Sequence, residues 1–117
     1  MKNKEFLYVA VIDTYGVEKQ LDMVVEECSE LIKAINKIKR NDCLKYIGLV
    51  QPSLTTTTIK QALIYNELCG EVADLEILLE QMRLILRSDQ ISLIKERKLQ
   101  RLSERINYKI NNKTDKI

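Results

Sequence analysis

The 117-residue chain has no histidine and no tryptophan, only one proline and only three glycines. Without histidine it has no Ser-His-Asp triad, no Cys-His pair and no zinc site of the Cys/His type. The glycines stand apart at 16, 48 and 70, so there is neither a phosphate-cradling loop nor a dinucleotide fingerprint. Glycine and proline together fall far below their usual share of roughly 12%. Turns are therefore few and elements long, which predicts helices. The remaining chemistry must run on carboxylates, amines, hydroxyls or thiols.

No apolar run approaches the roughly 18 residues of a membrane span. The short run from Phe6 to Ile12 ends at Asp13 with no small-residue cleavage site after it, and reads as mature protein rather than a signal peptide. No membrane partner is expected. Cys28, Cys43 and Cys69 are odd in number and show no C-x-x-C spacing. They read as packed thiols of a reduced, cytoplasmic protein. The net charge of +2, from 19 basic and 17 acidic side chains, is too balanced for a nucleic-acid coat. Acids dominate the middle of the chain and bases dominate residues 95–113.

Length fits one domain with a real core. A short helix is expected over residues 3–14, stopped at Gly16. From Val17 to Arg40, apolar residues recur every three or four positions: Val17, Leu21, Val24, Val25, Cys28, Leu31, Ile32, Ile35 and Ile38. Residues 41–57 break the pattern with Asn41, Asp42, Gly48, Pro52 and Thr55 to Thr58, and read as a loop. It is either a plain surface connection or a lid or oligomer contact. Thr58 and Gln61 have the spacing of a capping box, so a helix should start there and run to about Leu86. Ser88 and Asp89 offer the next N-cap. The last helix is expected over about Gln90–Tyr108, with residues 111–117 a frayed tail. These elements predict an all-α fold, an antiparallel bundle of about four helices in one domain.

Helical angles place the charges. On the 17–40 helix Glu26, Glu27 and Glu30 form one patch at the edge of the apolar arc. On the next helix Glu71 sits inside the stripe formed by Ile64, Leu68, Val72, Leu75, Leu79, Met82 and Leu86. Glu67 and Asp74 lie on its shoulder. Burying an ionised carboxylate costs several kcal/mol unless it is paired. Carboxylates from two helices facing one interior need raised pKa values, basic partners or a hard divalent cation. Oxygen-only ligands suit Mg²⁺, with Mn²⁺ as the alternative. Lys95 lies within the apolar stripe of the last helix, Ile91, Leu99, Leu102 and Ile106, flanked by Lys98, Arg105 and Arg101. That face is either an ordinary basic surface or a phosphate clamp. Ala62, Leu63, Ala73, Ile77 and Leu84 form a second apolar strip on the 59–86 helix, a hint of self-association.

Gln20-Leu21, Glu26-Glu27-Cys28-Ser29-Glu30-Leu31 and Glu71-Val72-Ala73-Asp74 together read E-E-x-x-E followed by E-x-x-D. This resembles the motif of the all-α nucleoside triphosphate pyrophosphohydrolases, the MazG-like superfamily, over about residues 5–106. The stretch between Glu30 and Glu71 is longer than is usual there. The resemblance implies hydrolysis of the α–β phosphoanhydride of an NTP or dNTP to a monophosphate and pyrophosphate. It implies Mg²⁺ on Glu27, Glu30, Glu71 and Asp74, with Glu26 and Glu27 at the reaction and Glu26 orienting the attacking water or bound through water. Lys95 and Lys98 would meet the triphosphate, with Arg101 behind them. A homodimer or homotetramer is implied. The competing expectation is a helical binding or regulatory module that keeps the fold without turnover. A nucleic-acid partner is not expected.

Overall fold

In the computed structural model every element is a helix. The structure describes residues 3–41, 43, 58–87 and 89–114, and among them there is no strand. The elements are α1 (Lys4–Tyr15), α2 (Val17–Arg40), α3 (Ile59–Leu86) and α4 (Gln90–Thr114). Most of the expected 41–57 loop, Ser88 and the last three residues lie outside the described residues.

Gly16 makes the first reversal alone. Its φ of +90° is open to glycine and strained for other residues. Its N–H donates to the Ile12 carbonyl, closing α1, while its own carbonyl accepts from the Gln20 N–H, opening α2. The start of α3 follows the expected box. The Gln61 N–H donates to Thr58 Oγ1, and the Thr58 N–H donates to Gln61 Oε1, both at 3.1 Å. The last helix corrects one expectation. No glycine or proline follows Tyr108 to stop it, and it continues to Thr114, through most of the stretch expected to fray.

The chain divides into two compact units, Met1–Ile85 and Leu86–Ile117. In the first, α2 and α3 run antiparallel. Gln20 pairs with Gln81 near one end, Lys37 with Glu67 near the other, and Ile38 packs with Ile64 beyond it. The tightest packing joins Ile38, Cys43 and Ile64, with Leu68 against them. At the opposite end Tyr8 of α1 donates to Glu80 Oε2 at 2.5 Å, and Lys4 lies 3.6 Å from the same oxygen. Gln20 Nε2 donates to Gln81 Oε1 at 2.7 Å, so this buried amide pair satisfies one group on each partner.

α3 meets α2 at the edge of its apolar arc, not the centre. The buried residues of α2 are Gln20, Ala34 and Ile38. Val17, Leu21, Val25, Cys28, Ile32 and Ile35, members of that arc, are exposed. The contact edge is the one that borders the acids, and this delivers Glu27 to the helix interface. On α3 the second strip is also open, with Leu63 and Ile77 exposed. In the second unit no described side chain of α4 is buried, and Leu99, Leu102, Ile106 and Ile110 each stay about half exposed.

Candidate metal centre

Three of the expected acids converge. One carboxylate oxygen each from Glu27, Glu71 and Asp74 lies within 4.8 Å of the others. The antiparallel register produces this. Counting up α2 from Gln20 and down α3 from Gln81, Glu27 and Asp74 come level, and Glu71 is one turn further along α3's interior face. Glu27 and Glu71 are partly buried, and Asp74 is exposed.

The electrostatics are those of an uncompensated acidic group. Glu27 is held above the ordinary carboxylate range, first by burial, then by a hydrogen bond with Glu71, then by the charges of Asp74, Glu71 and Glu26. Glu71 Oε2 is buried and has no hydrogen-bond partner among the described residues. Such an atom forfeits its water without replacement, which costs about 1–3 kcal/mol or more for a charged group. No ammonium or guanidinium of the described residues forms an ion pair with any of the three. A hard cation fits this donor set, since all three ligands are oxygen and one of them is an orphaned buried oxygen.

The other expected residues sit differently. Glu30 is not one of the three, and its Oε1 lies 3.3 Å from Lys33 Nζ. Glu26 is exposed and acts on the group only through its charge. Glu67, on the shoulder of the stripe, is taken by Lys37 at 3.1 Å. Lys95 and Lys98 belong to the second unit, where they line an open apolar trough on α4 with Ile91, Ile94, Leu99 and Leu102.

One feature of the first unit had no sequence signal. A cavity of about 260 Å³ is lined by Val11, Tyr15, Lys19, Gln20, Met23 and Leu78. Met23 lies one turn before Glu27, and Leu78 one turn after Asp74. Periodicity along one helix cannot reveal a space that three helices make together.

No family model matches the chain, and no curated protein or solved structure matches it either.

Proposed function

We propose that this chain is a Mg²⁺-dependent nucleotide pyrophosphohydrolase that cleaves the α–β phosphoanhydride of an NTP or dNTP to a monophosphate and pyrophosphate. The observation that supports this most is the Glu27–Glu71–Asp74 group with its unpartnered buried Glu71 Oε2. The motif resemblance supplies the reaction class. Glu27, Glu71 and Asp74 would hold the ion, and Glu30, one turn along α2, would join them on leaving Lys33. A bound divalent ion supplies positive charge against phosphoryl oxygens and lowers the pKa of a bound water. Glu26, next to Glu27 in the sequence, would orient that water. The adjoining cavity, apolar with Lys19 and Gln20 in its wall, suits the nucleoside part of the substrate. Lys95 and Lys98 are the proposed triphosphate contacts, and a homodimer or homotetramer the proposed assembly.

The test is pyrophosphate release from a panel of NTPs and dNTPs with Mg²⁺ or Mn²⁺. Glu71→Gln should reduce release to background while helical circular dichroism persists. Release from none of the nucleotides with either ion would remove the hydrolase reading and leave the silent helical module.

A further inference from the structure

Between α2 and α3 the side chains form level layers. Gln20 pairs with Gln81, Met23 and Leu78 come next, and Glu27 stands level with Asp74. Seven residues separate Gln20 from Glu27, and seven separate Asp74 from Gln81. That is two turns on the same helix edge, roughly 10 Å along the axis. The cavity belongs to the amide and apolar layers, where Gln20, Met23 and Leu78 line it with Lys19 and with Val11 and Tyr15 of α1. All six residues belong to the first unit, so the space is made without α4. Its volume is about 260 Å³. A cavity of about 150 Å³ holds a benzene ring, and whole small-ligand pockets begin at roughly 300 Å³. The space therefore fits a base ring, with the phosphates outside it at the carboxylates.

Gln20 and Gln81 are both buried. The bond from Gln20 Nε2 to Gln81 Oε1 uses one side of each amide, and neither side chain has another hydrogen bond among the described residues. The unused side of the Gln20 amide is Oε1, an acceptor, on a residue that lines the cavity. The bond between two amides also survives reversal. When both turn by half a rotation, Gln81 Nε2 donates to Gln20 Oε1, and the side that Gln20 leaves unused becomes its NH₂.

We propose that Gln20 recognises the base of the nucleotide by the amino or keto group on its ring, and that Gln81 behind it sets which of the two Gln20 can meet. This rests on the cavity holding the nucleoside, as proposed above. With Oε1 presented, Gln20 accepts from the exocyclic amine of cytosine or adenine. With NH₂ presented, it donates to the carbonyl of uracil or hypoxanthine. The exchange breaks no bond within the pair, so amino and keto bases are both taken. A ring with hydrogen at that position leaves a buried amide group unmet and is rejected. Gln20 touches the base, and Gln81 is a positioning residue.

Equilibrium binding of nucleoside monophosphates to the full chain with Mg²⁺ tests this. The probes are CMP, UMP and their pyrimidinone analogue with hydrogen in place of the amino or keto group, and AMP, IMP and the matching purine analogue. In the ring class that binds better, amino and keto members should bind within about fivefold of each other, and the hydrogen analogue about tenfold or more weaker. Gln81→Glu, ionised in mildly alkaline buffer, can only accept. It should hold Gln20 Nε2, keep Oε1 toward the cavity and favour the amino member about tenfold. Gln20→Met with Gln81→Met replaces both amides by apolar chains of similar length. Its helical circular dichroism should persist, while amino and keto members bind no better than the hydrogen analogue. Four results would each overturn the proposal: no binding of any monophosphate, a hydrogen analogue bound as well as the others, a wild type that separates amino from keto members more widely, or a folded Gln81→Glu or double-Met chain with the wild-type pattern. Pyrophosphate release is scored apart. Release with no dependence on Gln20 removes this proposal and leaves the hydrolase, whereas Gln20-dependent binding without release removes the hydrolase and leaves the base recognition.

Discussion

Glu71 Oε2 is the atom on which the site turns. It is buried, unpartnered and surrounded by other carboxylates, so a divalent ion should stabilise the fold. At about 100 times its Kd, Mg²⁺ should contribute about 2.7 kcal/mol, a rise of several degrees in Tm. Glu71→Gln should abolish that rise in a calorimetric or fluorescence melt. A second titratable contact lies at the far end of α3. The Tyr8 hydroxyl bond holds Glu80 below its ordinary 4.5, with Lys4 assisting, while Glu80 holds Tyr8 above its ordinary 10.0. A depressed carboxylate contributes stability that is present above its unfolded pKa and lost as pH falls through the folded value. A raised phenol contributes stability that is present below its unfolded pKa and lost as pH rises through the folded value. The contact is therefore intact from just above pH 4.5 to pH 10 and lost at both extremes. Tyr8→Phe should lower Tm across that range and flatten the acid limb of a pH–Tm profile.

Single elements were legible to different depths. α2 spans the expected Val17–Arg40 because Gly16 and a continuous three-and-four apolar rhythm mark it at both ends. α3 begins where Thr58 and Gln61 exchange bonds, and Thr58→Ala should cost about 1 kcal/mol in chemical denaturation. α4 runs on to Thr114 because composition signals a helix end only through a breaker, and Asn111 and Asn112 are poor continuers rather than breakers, followed by the good helix former Lys113. Angular positions set Glu26, Glu27 and Glu30 in one patch on α2 and Glu71 with Asp74 on the facing stripe of α3, and Glu27, Glu71 and Asp74 are the three that converge. Glu30 stands apart from them because a helical angle fixes a Cβ and not a rotamer, and its side chain turns to Lys33. The exposed half of the α2 arc follows the same rule, since periodicity marks an apolar face without naming what packs on it.

For the whole molecule, the sparse core of the first unit carries much of the stability. Ile38→Ala, which opens a cavity beside Cys43 and Ile64, should cost about 2–5 kcal/mol. If the chain self-associates as proposed, Tm should rise with protein concentration. The division of charge along α2 also has a consequence for how the chain folds. Acids near the start of a helix and bases near its end oppose the helix macrodipole, each worth typically 0.3–1 kcal/mol at low salt. α2 is thus stabilised before it meets α3 or another copy. Lys37, Lys39 and Arg40 fill its last turn and Glu18 its first, whereas α3 and α4 have no acid in the first turn. An isolated 17–40 peptide should be the most helical fragment of the chain, and should lose helicity as salt is added. The helix that carries Glu27 is then the one that can form before the rest of the chain has folded.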